Sequence, residues 1–552
     1  MSARRRSRAR SRTRRPARPL ALGLAALTLV ATSCSAGEDS GNDAEKLTIF
    51  AAQGPDTDLA TNAFTKEMEE LTGTSFEWQT TTYDGTTAAE ARRIQLAGGD
   101  YPEVFLMVPW VDQFSQQDLQ RYGQQGVLQP LNDLIEQHAP NIQEAFEENP
   151  EFKALATAPD GKIWGLPQWN DCFHCSYQAK LWINTDWLEK LGLQMPTTTD
   201  EFFDVMTAFK TRDPNGNGQA DEIPLTSSVD DLLLPYFVNA FLYDPQGSAT
   251  YPSTLALQDG EVTLQAAQDA YRDALAYMAK LYEAGLIDPA AFTQNRDAMI
   301  AKGDNAEAPL VGAATVLHPN LFVTTGQDDQ RDEAYQALPP LKGPQGVQFA
   351  SYNLPSMPGA TFAVTNKASE EEQVAAIKVI DYMFPRDQHA RAEFGIEGKD
   401  WFQPVAGETA LDEELTPFAR VPEADPNVKP ANNGWGPLAQ YNSDADFRNG
   451  QVQPADGYER KLFDASALYE PFVPQDQVFP YWSVWVPEEE AAEVADLTTN
   501  IENLVSQASA EFVTGTRDVG DDGAWASYVE ELEGTGLPRY LEIQQKAYDA
   551  SK

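Results

Sequence analysis

Three kinds of residue are scarce in this 552-residue chain, and each scarcity excludes a class of function. There are three cysteines and four scattered histidines, and the lack of a second Cys pair or a His cluster argues against a zinc site with four ligands. Basic residues are outnumbered, with 40 Lys and Arg against 84 Asp and Glu, and the formal net charge is −44. A chain this acidic repels nucleic acid, so we expect no DNA or RNA partner.

Motifs for catalysis are also missing. The sequence contains no nucleophile elbow, no His-Glu-x-x-His helix and no phosphate-binding glycine loop. Few histidines leave few general bases. We therefore predict that the protein is not an enzyme. The alternative is a secreted glycoside hydrolase or lyase, because abundant carboxylates could always supply a catalytic pair.

An apolar run at the N-terminus, Leu20–Ala31, is about half as long as a membrane-spanning helix. Nine arginines without an acid precede it, and Cys34 follows shortly after it. This order predicts a signal peptide over residues 1–33. Val30–Cys34 resembles a bacterial lipobox, which implies lipidation of Cys34, with palmitate, and anchoring to the cell membrane. An ordinary secretory signal is the alternative.

Cleavage before Cys34 removes nine positive charges and changes the net charge from −44 to −53. Residues 34–46 are polar and acidic, which is typical of a flexible tether. Strands and helices then alternate in the pattern of a doubly wound α/β lobe, whose ligands lie beyond the carboxyl ends of the strands. The segments are strand Leu47–Ala52, helix Asp58–Leu71, strand Phe76–Thr80, helix Thr86–Ala97 and strand Val104–Val108.

The segment Trp164–Trp187 carries four of the eleven tryptophans and two of the three cysteines. We predict that it passes between two lobes and lines their cleft, with a buried aromatic cluster as the alternative. Cys172 and Cys175 form an even pair outside the cytoplasm, which favours a local disulfide. Free thiols, or metal and redox chemistry with His174, remain alternatives.

Aromatic rings in loops are candidates for stacking on sugar rings, while amide and carboxylate groups can bind hydroxyls. Packing under long loops is the alternative for each ring. The predicted ligand-stacking residues are Trp110, Trp169, Trp435 and Trp482, and the predicted hydrogen-bonding residues are Gln53, Asn170 and Asp171.

Residues 213–224 have the spacing of a calcium loop, with Gly218 at the position of the sharp turn. Pro224 stands where an EF-hand has its terminal glutamate, so acids at positions 9 and 10 must replace that ligand. A turn without metal is the alternative. The predicted ligands are Asp213, Asn215, Asn217, Gln219 through its carbonyl, Asp221 and Glu222.

Ala97–Phe105 (AGGDYPEVF) resembles a signature of the family 1 extracellular solute-binding proteins of ABC importers. Ile163–Pro167 (IWGLP) and Leu181–Gly192 (LWINTDWLEKLG) are similar to later segments of the same family. Phe512–Gly515 (FVTG) is similar to its lipoprotein subgroup of oligosaccharide-binding receptors. The loop at 213–224 resembles a structural calcium site in the alginate-type receptors.

The resemblance implies a two-lobed α/β fold of the type II periplasmic-binding-protein kind, with each lobe a doubly wound sheet that is discontinuous in sequence. Lobe 1 is expected at 47–168, returning at about 335–386, and lobe 2 at 169–334, returning at about 387–552. The implied function is capture of an extracellular solute, most simply an oligosaccharide, by hinge closure. The implied partners are ABC permease subunits, and the protein is expected to be an extracytoplasmic monomer.

Overall fold

The computed structural model describes residues 46–246, 255–325, 331–354, 356–422, 431–442, 446–454 and 457–552. The predicted signal peptide, the lipidation site Cys34 and nearly all of the tether therefore lie outside the described residues. Within the described part of the chain, no helix combines the length and the apolarity needed to cross a membrane.

Eleven strands are present among the described residues, and most are short. They are β1 Lys46–Ala52, β2 Ser75–Thr81, β3 Val104–Leu106, β4 Trp169–Asn170, β5 Leu181–Asn184, β6 Leu255–Gln258, β7 Glu261–Leu264, β8 Ala313–Thr315, β9 Tyr335–Leu338, β10 Phe362–Val364 and β11 Tyr441–Asn442.

Helices account for most of the regular structure in the described ranges. They are α1 Ala63–Thr72, α2 Gly85–Gly98, α3 Gln116–Gln124, α4 Asn132–His138, α5 Pro140–Glu148, α6 Pro150–Ala156, α7 Thr185–Leu191, α8 Thr199–Thr211, α9 Leu233–Val238, α10 Asp269–Glu283, α11 Arg296–Gly303, α12 Glu370–Tyr382, α13 Arg386–Phe394, α14 Asp446–Asn449, α15 Tyr458–Ala467, α16 Glu488–Thr514, α17 Asp522–Gly534 and α18 Leu537–Ser551.

The first sheet, which defines lobe 1, has the strand order β10, β3, β1, β2. β1 pairs in parallel with β2 and β3, whereas β10 runs antiparallel to β3. α2 connects β2 to β3. It begins at the N-cap Asp84 and ends at Gly99, whose φ of 74° suits a residue without a side chain. The parallel strands β1, β2 and β3 therefore end at the same edge of the sheet.

The second sheet, which defines lobe 2, has the order β8, β5, β9, with β5 antiparallel to both neighbours. Parallel bridges from Ile223 to Val311 and from Thr226 to Ala314 extend it, so its pairing is mixed. Trp182 of β5 is fully buried, and its indole N–H donates to the Val316 carbonyl at 3.1 Å. The pairing of two small sheets with surrounding helices is the predicted two-lobed α/β fold.

The predicted lobe boundaries need two corrections. β9 pairs with β5, so the return to lobe 1 begins after Leu338 rather than at about residue 335. Trp435 packs edge-on against Phe64 and Trp78 of lobe 1, so part of 387–552 belongs with that lobe. Both follow from pairings between segments that are distant in sequence.

Two of the segments that cross between the sheets run side by side. β4 follows lobe 1 along the chain, and β11 lies in the C-terminal part; the two strands pair in parallel. The Trp169 amide donates to the Gln440 carbonyl at 3.0 Å, and the Asp171 amide donates to the Asn442 side chain at 2.6 Å. The passage from lobe 1 to lobe 2 is therefore a paired structure rather than a single strand.

Candidate ligand-binding site

The carboxyl ends of the first sheet carry two exposed aromatic rings. Trp110 follows β3 and is 49% exposed, and Tyr83 follows β2 and is 39% exposed. A Tyr83 ring carbon lies 3.4 Å from the position that a Cβ on Gly54 would occupy, so the ring sits over the end of β1. The Gln53 amide donates to the Thr81 carbonyl at 2.8 Å. Tyr83, Trp110 and Gln53 thus share the edge where α/β folds bind ligands.

A groove of about 720 Å³ lies between α2 and the ends of β1 and β2. The Gln95 amide donates to the Gln79 side chain at 3.0 Å, while the Gln95 Oε1 is buried without a hydrogen-bond partner. We call this the amide groove. Its lining consists of Phe50, Gln53, Gly54, Pro55, Gln79, Thr80, Thr81, Thr82, Thr87, Ala91 and Gln95, with no ionisable side chain.

The segment after Pro167 forms a tight turn that is closed from two sides. Cys172 and Cys175 are joined by a disulfide across a 3-10 turn, with their Cα atoms 5.2 Å apart. Lys180 is completely buried, and its ammonium group donates to the His174 carbonyl at 2.9 Å and to the Tyr177 carbonyl. Burial lowers the pKa of Lys180. We call residues 172–177 the disulfide turn.

An aromatic row extends from the disulfide turn. Ring centroids are 5.2 Å apart for Phe463 and Phe173, 5.5 Å for Phe173 and Tyr177, and 5.8 Å for Tyr177 and Tyr352. Two residues after Tyr352, the Leu354 backbone amide donates to the Tyr481 hydroxyl at 2.9 Å, and the Tyr481 and Trp482 ring centroids are 5.5 Å apart. The aromatic row is therefore Phe463, Phe173, Tyr177, Tyr352, Tyr481 and Trp482.

Two predicted stacking residues are corrected by their burial. Trp169 is 4% exposed, and Trp435 is 2% exposed. The Trp435 indole N–H donates to the Thr65 hydroxyl at 2.8 Å, and its ring meets Phe64 and Trp78 edge-on. Neither ring offers an open face for a sugar, so both are core residues in this structure. Trp110 and Trp482 retain partial exposure and stay candidates.

Asn170 has a narrower role than predicted. Its Oδ1 accepts from the Asn442 amide at 2.7 Å and from the Arg448 Nε at 3.0 Å. Because a carbonyl oxygen has two lone pairs, this oxygen has no acceptor capacity left for a ligand hydroxyl. Asn170 joins the paired crossing strands. Its neighbour Asp171 is partly exposed beside the disulfide turn and stays a candidate.

Most rings of the aromatic row, and Tyr83 at the sheet edge, were not among the predicted residues. Phe173 and Tyr177 lie on either side of Cys175, within the segment Trp164–Trp187 that was predicted to line the cleft, so the sequence did indicate them. Tyr83 follows β2 as Trp110 follows β3, so applying the strand-end rule to every strand would have found it. Tyr352 and Phe463 carry no local signal.

Carboxylates surround the aromatic row. Burial raises the pKa of Tyr177 and of Tyr352, and Glu470 and Asp171 raise both pKa values further. The His174 Nδ1 lies 3.3 Å from a Glu459 carboxylate oxygen. Burial, with Lys180 nearby, holds the pKa of His174 well below its usual range. The row is thus apolar and aromatic in its centre and acidic at its margin.

His318 supplies a pH prediction. Burial lowers its pKa to about 4, so between pH 6.5 and 4 the unfolded chain binds a proton that the folded chain does not. Acidification across this window should therefore destabilise the protein, by about 1.4 kcal/mol per pH unit for this group. In urea unfolding at several pH values, His318→Gln should show a shallower loss. Parallel curves for wild type and variant would contradict the prediction.

The calcium-like loop is folded around its first acid. Asp213 accepts from the Gly216 amide at 2.9 Å and, through its other oxygen, from the Gly218 amide at 3.1 Å. The side-chain amides of Asn215 and Asn217 each lie 3.1 Å from the same Asp221 oxygen. Side chains from positions 1, 3, 5 and 9 therefore point into one small loop.

The same loop contains an unsatisfied acid. Glu222 Oε1 is buried and has no hydrogen-bond partner. Burial raises the pKa of Glu222, and the charges of Asp213 and Asp221 raise it further. Three carboxylates, two amide side chains and the Gln219 carbonyl form a donor set of hard oxygen ligands, because an amide can present its oxygen in place of its nitrogen. The residues present therefore fit a calcium ion.

A two-lobed α/β chain with paired crossing strands and aromatic rings beside the crossing is a solute-binding protein by class. The chain belongs to the bacterial extracellular solute-binding protein family, whose model matches residues 51–389. This membership replaces the enzyme alternative with binding and places the chain among extracytoplasmic receptors.

Relatives with known ligands cover nearly the whole chain. It is 31% identical over 500 residues to the fructooligosaccharide ABC transporter substrate-binding protein FusA of Streptococcus pneumoniae serotype 4, covering 88% of this chain and 86% of that protein. A solved structure of a FusA EF-hand mutant with fructo-nystose is 27% identical, with a TM-score of 0.71, and covers 92% of this chain and 99% of that one. The alginate-binding protein AlgQ2, solved without calcium, is 25% identical, with a TM-score of 0.63 and coverages of 92% and 98%.

Proposed function

We propose that the protein captures an oligosaccharide outside the cytoplasm and delivers it to the permease of an ABC importer. The observation that carries the proposal is the aromatic row beside the crossing strands. Aromatic faces pack against the C–H faces of sugar rings, and nearby amide, hydroxyl and carboxylate groups bind sugar hydroxyls. The fructooligosaccharide-binding relative supports a carbohydrate ligand.

In this proposal the two lobes contribute different chemistry. Lobe 1 offers Trp110, Tyr83 and the amide groove at the ends of its parallel strands. The disulfide turn and the aromatic row offer stacking surfaces from the crossing segment and the C-terminal part. A ligand that contacts both sets stabilises the closed arrangement of the lobes, and release to the permease follows when they reopen.

The remaining parts of the proposal concern location and partners. Lipidation of Cys34 would anchor the receptor to the cell membrane near the permease, and residues 34–46 would give it reach. The receptor would act as a monomer. These features rest on the N-terminal sequence and on the family.

A binding experiment tests the proposal. The mature protein is titrated with fructooligosaccharides in a calorimeter, and the sugar is recovered afterwards and sized by chromatography. We expect saturable binding with the sugar unchanged. Cleaved products would support the enzyme alternative. A heat signal that appears without sugar and is lost when the disulfide is reduced would support the redox alternative based on Cys172 and Cys175.

We also propose that residues 213–224 bind a structural Ca²⁺, with Asp213, Asp221 and Glu222 supplying the charge. The fit of the donor set supports this proposal. Two solved relatives support it as well, because one is an EF-hand mutant of FusA and the other is AlgQ2 solved without a calcium ion. When bound, the ion would neutralise three neighbouring carboxylates and hold the loop between α8 and the second sheet.

Calcium removal should therefore lower stability. At calcium about 100-fold above its Kd, binding stabilises the folded chain by about 2.7 kcal/mol. Adding EGTA should lower the Tm measured by calorimetry, and the drop should vanish in the matched variant Asp221→Asn/Glu222→Gln. An equal drop in variant and wild type, or none in the wild type, contradicts the calcium proposal.

A further inference from the structure

We propose that the ligand is an uncharged oligosaccharide, and that the site selects it against sugars bearing carboxylates; this rests on the function proposed above. The relatives leave the charge of the ligand open, since one is named for neutral fructooligosaccharides and another for alginate, a polymer of uronic acids. The side chains around the amide groove and the aromatic row decide between these two classes.

The amide groove argues for a neutral ligand. Charged residues make up 22% of the sequence, yet the eleven residues that line the groove include none. Hydroxyl and amide side chains suit sugar hydroxyls, because each can donate and accept hydrogen bonds. A carboxylate placed there would find no counter-ion among the lining residues, whereas sugar hydroxyls would find hydrogen-bonding partners.

Two cations near the aromatic row, Lys180 and Arg448, are engaged within the protein. Lys180 is fully buried beneath the disulfide turn and donates to two backbone carbonyls, so a ligand cannot reach it. Arg448 forms a salt bridge with Glu393 at 3.0 Å and donates to Asn170. A uronate carboxylate at the row would therefore compete with existing partners for positive charge.

The histidines near the row do not replace these cations. His174 and His318 both have lowered pKa values because they are buried, and positive neighbours lower them further. Both are therefore neutral at pH 7. The geometry at His318 is consistent with a neutral ring, since its Nδ1 lies 3.5 Å from the Tyr458 hydroxyl, a neutral partner.

Carboxylates at the margin of the row add repulsion. Glu470 is exposed and directly follows Tyr469. The Tyr469 hydroxyl accepts a hydrogen bond from the Leu181 backbone amide at 3.0 Å. The Ala350 amide donates to the Phe472 carbonyl at 3.0 Å, which brings Glu470 and Tyr352 onto neighbouring segments. Such carboxylates can accept hydrogen bonds from sugar hydroxyls but repel a uronate.

The test compares a fructooligosaccharide with an oligogalacturonate of the same length by calorimetry at pH 7 and low salt. We expect the neutral sugar to bind at least about 100-fold more tightly, a difference that two or three unfavourable charge contacts would produce. Glu470→Gln should raise oligogalacturonate affinity by roughly 2- to 5-fold and leave the neutral sugar nearly unchanged. The matched control is Glu261→Gln, because Glu261 is the exposed first residue of strand β7.

The outcomes separate this inference from the proposed function. Equal or tighter binding of oligogalacturonate overturns the charge selection while leaving oligosaccharide capture intact. Binding of neither sugar contradicts the proposed function, and the charge selection with it. If Glu261→Gln shifts oligogalacturonate affinity as much as Glu470→Gln, the effect belongs to the net charge of the chain, and the assigned role of Glu470 is wrong.

Discussion

Replacing Arg92 by alanine is expected to lower the free energy of unfolding by about 3–5 kcal/mol. Arg92 lies on α2 and is buried, and it binds both Asp112 oxygens at 2.7 and 2.9 Å. It also donates to the Gln113 carbonyl at 2.9 Å and lies over the Phe114 ring. Removing it leaves Asp112 buried without its counter-ion, in the loop that follows Trp110. Urea unfolding monitored by tryptophan fluorescence measures the loss.

Arg121→Ala is the matched control, because Arg121 pairs with Asp118, which also contacts Arg92. The Arg121 side chain is 52% exposed, and an exposed ion pair contributes at most about 1 kcal/mol. Similar losses for the two variants would show that burial is not the source of the Arg92 effect. Arg92→Lys should recover only part of the loss, because an ammonium group cannot bind both oxygens in the same plane.

The double substitution Tyr352→Ala/Trp482→Ala is expected to weaken binding of a verified oligosaccharide by about 100-fold or more. Central aromatic contacts in binding sites commonly cost 2 kcal/mol or more each when truncated. Both rings are partly exposed, and they come from segments that meet through the Leu354–Tyr481 hydrogen bond. Calorimetric titration of the variant against the wild type measures the change.

Tyr101→Ala serves as the control for the aromatic row. Tyr101 lies just before β3, at the amino end of the first sheet and thus at the opposite edge from Trp110. Its hydroxyl donates to the Asn366 side chain at 3.0 Å, and its ring lies beside Lys367. We expect unchanged affinity in this variant. Unchanged affinity in the double variant as well would remove the aromatic row from the site.

The lobe 1 elements could be predicted from sequence because their signals are local. The runs that predicted strands at Leu47–Ala52 and Phe76–Thr80 became β1 and β2, and the helix predicted over Thr86–Ala97 became α2. The helix predicted from Asp58 begins instead at Ala63. The Asp58 amide donates to the Asn432 side chain at 3.1 Å, so a residue far along the chain holds the start of that segment outside the helix.

The candidate site could be predicted only in part. The strand-end rule predicted Gln53 and Trp110 because it depends on the order of strands and helices, and both residues lie beyond strand ends in the structure. The choice of Trp169 and Trp435 failed because a loop pattern does not show which way a ring turns. The Trp435 indole N–H donates to Thr65, a residue 370 positions away, and no pattern among neighbouring residues can predict such a contact.

The sequence by itself determined the acidic character of the chain, its N-terminal signal features, the alternation of strands and helices, and the spacing of the oxygen ligands at 213–224. Each of these depends on residues that are close neighbours along the chain. Only the tertiary structure decided which rings are exposed, which cations are engaged and which segments form the aromatic row. Those properties arise when segments hundreds of residues apart, such as those carrying Phe173 and Phe463, pack together and exclude water.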